Sequence, residues 1–323
     1  MSLDMLSNPN KLILGVIIPL IFFACSETVD PPLNTQYQSS EVFFPTPDSL
    51  VLEGTLYSPF NQPRAAVVIV PGSGPVDRDG IVQGGSGTMP AIYKFWADDL
   101  VSQDVAVLRY DKRFITYSNL DPLQLSQEDQ ISDIVAAVNF LRNQTDLDSQ
   151  NIFLIGHSEG GNIVPVAAGR LSNIAGLVIL AAPAIAIDTL VVEQLRANPN
   201  VSETVVNDVQ LAFGLIRSGQ FPVGGAILGA GESYWQEWML YSEKADSVLQ
   251  ASGVPAFILQ GCSDENFPLG TLNKNKTAWQ QIASGQTAFR WTAYPNVTHL
   301  ILKDGENSPA ENVLSDVFNW IVR

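Results

Sequence analysis

The sequence predicts an α/β protein with a largely parallel central sheet, and three observations carry that prediction. Short apolar, β-rich runs alternate with segments of helical spacing along nearly all of the chain after Glu41. Several of these runs are continuously apolar, as strands covered on both faces should be. Apolar residues make up 46% of the 323 residues and charged residues only 15%, which supports a sizeable core and excludes a disordered or coiled-coil chain.

In chain order, the first element is an uncharged apolar run, LILGVIIPLIFF (12–23). A membrane-spanning helix needs about 20 residues, so this run is too short to span. It has the length of a signal-peptide core and ends at Ala24-Cys25, a junction that resembles a bacterial lipobox, in which the cysteine is lipidated and becomes the first mature residue. The expectation is a signal peptide over 1–24, a lipid on Cys25 and a polar, proline-containing tether over 25–40. The protein would then be exported and anchored in the bacterial cell envelope. An ordinary secretory signal with Cys25 incidental is the alternative, and starting at Met5 would remove Asp4 from the segment before the apolar run.

EVFFP (41–45) and LVLEGTLYSP (50–59) flank Thr46-Pro47-Asp48-Ser49 and read as an antiparallel hairpin. Buried strands follow at 65–70, 105–110, 151–156, 176–182, 255–261 and 289–295, and helices at 91–102, 129–143, 159–170, 274–283 and 310–322. The stretch from Ala182 to Pro255 is far longer than one crossover requires. Its spacing is mostly helical, which predicts a helical cap over 184–250, inserted after the sixth strand, between core segments 41–183 and 251–323. A cap over the carboxyl ends of the strands would cover the edge where open α/β sheets bind ligands; a lateral decoration is the alternative.

The formal charge is −16, from 33 acidic residues against 17 Lys and Arg, the wrong sign for a nucleic-acid binder. Two cysteines allow no disulfide framework, and two histidines leave little for a histidine metal site. No metal or organic cofactor is implied.

Gly156-His157-Ser158-Glu159-Gly160 lies between a predicted strand and a predicted helix. This is G-x-S-x-G in the context that gives it meaning: a strained strand-to-helix turn lifts the serine hydroxyl above the sheet, and side chains at either glycine would clash with neighbouring backbone. Ser158 is therefore the candidate nucleophile. A serine hydroxyl needs a base within hydrogen-bond reach, and only two histidines exist. On such a turn the His157 side chain points away from the serine oxygen, which leaves His299. The base needs an acid to hold its tautomer, and Asp264, just past the strand 255–261, supplies it, with Glu265 beside it. The chain order Ser158, Asp264, His299 differs from two other familiar serine-triad orders. Oxyanion donors are expected at the backbone N–H of Glu159, at a helix N-terminus, and of Ser73 in Pro71-Gly72-Ser73-Gly74. Arg78 and Asp79 in the same loop read as ion-pairing residues or substrate contacts.

Taken together, the Gly72-Ser73-Gly74-Pro75 loop with Asp77-Arg78-Asp79, Arg109-Tyr110-Asp111-Lys112-Arg113 and Gly156-His157-Ser158-Glu159-Gly160-Gly161 resemble a bacterial esterase subgroup of the α/β-hydrolases with a helical cap. The resemblance covers roughly 41–323. It departs at Pro71, where relatives usually have histidine, and after Arg113, where Phe-Ile-Thr-Tyr-Ser replaces a glycine-containing turn. It implies cleavage of a small-molecule carboxylic ester through an acyl-enzyme. A serine peptidase of the same fold and a surface-binding lipoprotein without catalysis are the rival expectations. In the cap, Tyr234, Trp235, Trp238, Met239 and Tyr241 have helical spacing; Trp235 and Trp238 are candidate substrate-binding residues, with plain packing as the alternative.

Overall fold

The computed structural model describes residues 37–82, 90–144 and 147–323. The signal-peptide segment, Cys25 and residues 25–36 of the expected tether lie outside these described residues.

Among the described residues the elements follow in the order β1 (Tyr37–Pro45), β2 (Val51–Pro59), β3 (Ala65–Val70), α1 (Ile92–Val101), β4 (Val105–Tyr110), α2 (Arg113–Thr116), α3 (Gln127–Arg142), β5 (Ile152–His157), α4 (Glu159–Gly169), β6 (Ile174–Leu180), α5 (Ile187–Ala197), α6 (Glu203–Arg217), α7 (Glu232–Glu243), α8 (Ala245–Ser252), β7 (Ala256–Gly261), α9 (Leu269–Ala283), β8 (Phe289–Tyr294) and α10 (Glu311–Ile321). The strands form one sheet in the order β1-β2-β4-β3-β5-β6-β7-β8. β1 pairs antiparallel with β2, and β2 with β4; every other pairing is parallel. β3, β4, β5 and β7 are buried at every position, which is why their sequences are apolar except toward the carboxyl ends, where β4 has Arg109, β5 His157 and β7 Gln260. β8, at the sheet edge, is half-buried or exposed except at Tyr294.

β1 starts at Tyr37, so residues 37–40 of the expected tether are strand. Their backbone pairs with residues 56–59, and polar side chains are tolerated because an edge strand binds through its main chain. Tyr37 also packs its ring on Tyr57 and donates its hydroxyl to Asp98.

Each sheet face carries its own apolar layer. α1 and α10 cover one face, where the Val313, Leu314, Val317, Trp320 and Ile321 stripe recurs at helical spacing. α3, α4 and α8, with Trp279 of α9, cover the other. α3 is started by a capping box in which Ser126 Oγ accepts from Asp129 N–H and the Asp129 side chain accepts from Ser126 N–H. The cap has a separate core from α5, α6 and α7, joined by Phe267 and Leu272. α8, most of which falls inside the expected cap segment, instead buries Ala245 and Leu249 against the α4 layer.

Candidate active site

Parallel strands bring their carboxyl ends to one edge of the sheet, so the segments after β3, β5, β7 and β8 meet there. Ser158 follows β5 directly, with φ 53° and ψ −117°, a left-handed conformation costly for a residue with a side chain. It is held by its N–H donating to Leu180 O at 2.8 Å. The flanking glycines explain the spacing. A Cβ on Gly160 would come within 2.5 Å of Val70 O, and one on Gly156 would overlap the Gly160 carbonyl.

His299 and Asp264 meet: His299 Nδ1 lies 2.9 Å from Asp264 Oδ2, both side chains almost wholly buried. Asp264 Oδ2 also accepts from Gln260 Nε2 at 2.5 Å, and Oδ1 from Asn266 N–H at 3.0 Å. Glu265 has a different place, accepting the His299 backbone N–H at 3.1 Å. Burial opposes the charged form of His299, but the Asp264 carboxylate outweighs it and raises the imidazole pKa above its ordinary value. Ser158 and His299 border the same cavity without a direct hydrogen bond between them; such contacts commonly tighten only with substrate in place.

The loop after β3 brings Ser73 and Gly74 to the same cavity. Gly72 N–H is committed to Tyr93 Oη at 2.8 Å, so Ser73 is the next backbone donor along the loop. Arg78 and Asp79 do not pair with each other. Arg78 clamps Asp111 through Nε (2.9 Å) and Nη2 (2.7 Å) and reaches Glu41, while Asp79 binds the buried Arg109. Both therefore tie the loop to β1, β4 and the turn after β4.

Sequence reasoning places only the Glu159 backbone in the site, yet its side chain is fully buried. Glu159 Oε2 pairs with Lys112 Nζ at 2.9 Å, and Oε1 accepts from Gln127 Nε2 (2.6 Å) and Gln130 Nε2 (3.1 Å). Burial alone would raise its pKa, but the Lys112 ammonium and hydrogen bonds from Lys112, Tyr234 and Gln127 hold it below the ordinary glutamate value. Nothing in the local sequence signals this pairing, because its partners come from α3, α7 and the turn after β4.

A cavity of about 560 Å³ opens beside Ser158 and His299. One wall is apolar and comes largely from the cap: Leu190, Val191, Leu195, Trp235 and Trp238, with Phe267. Lys112, Ser126, Asp129 and Gln130 line the other side. Trp235 and Trp238 stack with ring centroids 5.7 Å apart; Trp235 Nε1 donates to Ile227 O, and Trp238 Nε1 to Asn162 Oδ1 on α4. The two indoles thus line the cavity and also fasten the cap.

Residues 81–217 match the family described as serine aminopeptidase, S33. Among curated proteins none matches the chain. Among solved structures, the α/β hydrolase GrgF from Penicillium sp. sh18 is similar with TM-score 0.59 and 18% identity, covering 88% of this chain and 98% of its own. The Pyrococcus furiosus esterase Pf2001 superposes with TM-score 0.59 at 14% identity over 92% of this chain and 94% of its own. The esterase domain of a Rhodothermus marinus protein does so with TM-score 0.56 at 18% identity, over 88% and 98%. Strand order, elbow and these likenesses agree, and the chain has the α/β-hydrolase fold.

Proposed function

We propose that this protein is a serine hydrolase that cleaves carboxylic esters carrying an apolar acyl or aryl group. The observation that carries the reading is the convergence of a strained Ser158 and a buried Asp264–His299 pair on one cavity walled by apolar cap residues. His299 Nε2 takes the Ser158 proton as Oγ attacks the ester carbonyl, and Asp264 holds the imidazolium. The Ser73 and Glu159 N–H groups receive the oxyanion. Collapse expels the alcohol, which collects the proton from His299. Water then attacks the acyl-enzyme with His299 again as base, releasing the acid and restoring Ser158.

The family match over 81–217 favours a second reading, an aminopeptidase. Such an enzyme needs a carboxylate facing the substrate's α-ammonium group. Among the described lining residues only Asp129 is acidic, and its oxygens are engaged by Arg113 Nη1 (3.0 Å) and by the Ser126 N–H and hydroxyl. p-Nitrophenyl esters of graded acyl length, run against aminoacyl-naphthylamides with Ser158→Ala as blank, test the choice. Ester turnover alone is expected; amide turnover at comparable kcat/KM would install the peptidase, and inactivity toward both a binding protein.

Within the ester reading, Trp235→Ala is expected to lower kcat/KM more for long acyl chains than for acetyl, because lost apolar wall costs each buried methylene about 0.8 kcal/mol or less. An equal fall for every ester, tracking a lower unfolding midpoint, would reduce Trp235 to cap packing.

The localisation belongs to the same proposal. A lipid on Cys25, outside the described residues, would hold the catalytic domain at a membrane through residues 26–36. Cys25→Ser is expected to move the protein from the detergent phase into the soluble fraction with ester kcat unchanged. A wild type already soluble, with Cys25 unmodified by mass spectrometry, would remove the anchor.

A further inference from the structure

The site's mechanism gives no task to His157, buried next to the nucleophile, nor to the buried Tyr93 hydroxyl beside it. Tyr93 is on α1 and is 2% exposed; its ring and that of Trp96 meet the His157 imidazole edge-on, with centroids 5.7 and 5.6 Å away. Three contacts connect them to both halves of the site. Gly72 N–H donates to Tyr93 Oη at 2.8 Å, Tyr93 Oη lies 2.9 Å from His157 Nδ1, and His157 Nε2 lies 2.9 Å from the His299 carbonyl oxygen.

The directions of these bonds follow from elementary inventory. A carbonyl oxygen only accepts, so His157 Nε2 carries a proton. Burial first, and then the neighbouring His299, push the His157 pKa down to about 3, so the ring is neutral and has only that one proton. Nδ1 is then an acceptor, and Tyr93 O–H must donate to it. The tyrosine oxygen keeps its lone pairs for Gly72 N–H. A single chain runs from the oxyanion loop, through the residue before the nucleophile, to the main chain of the base: Gly72 N–H to Tyr93, Tyr93 O–H to His157, His157 N–H to the His299 carbonyl.

We propose that Tyr93 is a positioning residue for the hydrolytic site, holding the Ser73 donor and His299 in register with Ser158 through His157. The proposal rests on the functional reading above, and neither Tyr93 nor His157 touches substrate in it. Gly72 packs directly on the strand-to-helix turn: a Cβ there would lie 3.3 Å from both His157 Nδ1 and Ser158 Cβ. Losing the Tyr93 oxygen leaves a buried N–H and a buried ring nitrogen unpaired, each a cost of the size that decides a tenfold rate change.

Tyr93→Phe removes that oxygen and keeps the ring that packs on Trp96. Turnover per active site, counted by a fluorophosphonate that labels Ser158, is expected to fall about 10- to 100-fold with KM within about twofold, because an oxyanion donor acts chiefly in the transition state. A trifluoromethyl ketone, which forms an oxyanion on Ser158, should lose affinity in parallel. Nitrogen-15 spectra should show His157 in the Nε2–H tautomer in both proteins, because the His299 carbonyl holds that proton, with the Nδ1 signal shifted in Tyr93→Phe by the loss of its donor. A purely structural role would lower the number of labelled sites and the unfolding midpoint while kcat per labelled site stayed the same, and that result would overturn the proposal. An active wild type with an unaffected Tyr93→Phe overturns Tyr93's role alone; a wild type inert toward esters and amides overturns the functional reading and this role with it.

Discussion

Asp264→Asn is expected to lower ester kcat by about 10⁴ while the domain stays folded, the size of the loss that the comparable change produces in a serine protease. The carboxylate oxygen that faces His299 Nδ1 at 2.9 Å also accepts Gln260 Nε2 at 2.5 Å, so both neighbours approach it as donors. An asparagine amide can keep both with its one oxygen only by turning its nitrogen to the Asn266 N–H, a donor against a donor. If its nitrogen turns to His299, Nδ1 must accept, the imidazole proton moves to Nε2, and Ser158 faces a nitrogen unable to take its proton. If its oxygen stays, the imidazolium formed during attack still lacks a countercharge. Either way the loss falls on kcat more than on KM, as for an interaction made mainly in the transition state.

The pH profile gives a second reading of the same substitution. His299 must be neutral to act as base, and Asp264 favours its protonated form, so wild-type kcat/KM should fall on acidification through a pKa above the ordinary imidazole value of about 6.5. In Asp264→Asn the favouring charge is gone, and the acid limb of the residual activity should move to lower pH. Glu265→Gln, whose carboxylate bonds only the His299 backbone N–H and is the smaller charge favouring protonated His299, should cost far less and move that limb less. Near wild-type kcat in Asp264→Asn, with Glu265→Gln inactive, would transfer the role to the neighbour.

What could be read without coordinates follows a physical line. Strands at the sheet centre are covered on both faces, so β3, β4, β5 and β7 announce themselves as apolar runs of four or more residues. Tyr37-Gln38-Ser39-Ser40 does not, because an edge strand pairs through its backbone and leaves polar side chains in water. His299 follows from the sequence by elimination between two histidines, and Asp264 from its place just past the strand 255–261; the two side chains meet. Tyr93, Lys112 and the Glu159 carboxylate do not follow from the sequence. Each acquires its place from a partner on a distant element, and on its own helix or turn it carries no period or motif that marks it.

That same distance makes the loss of Lys112 costly to the fold. Lys112→Met is expected to destabilise the protein by about 3–5 kcal/mol, the cost of breaking a buried ion pair by removing one partner. Methionine preserves the stem's packing but leaves Glu159, wholly buried, with a charge held only by the amides of Gln127 and Gln130 and by Tyr234. The strain reaches the chemistry, because Glu159 directly follows Ser158 and opens α4, where its N–H is a proposed oxyanion donor. Part of the effect should therefore appear as lower kcat in the molecules that remain folded. Glu159→Gln in the same chain removes the orphaned charge while keeping an amide that can bond Gln127 and Tyr234, so Lys112→Met/Glu159→Gln should recover most of the lost stability. Urea unfolding of wild type, both single variants and the double closes the cycle. A Lys112→Met midpoint equal to wild type, or a double variant no better than Lys112→Met, would mean that the pair does not hold the nucleophile helix in place.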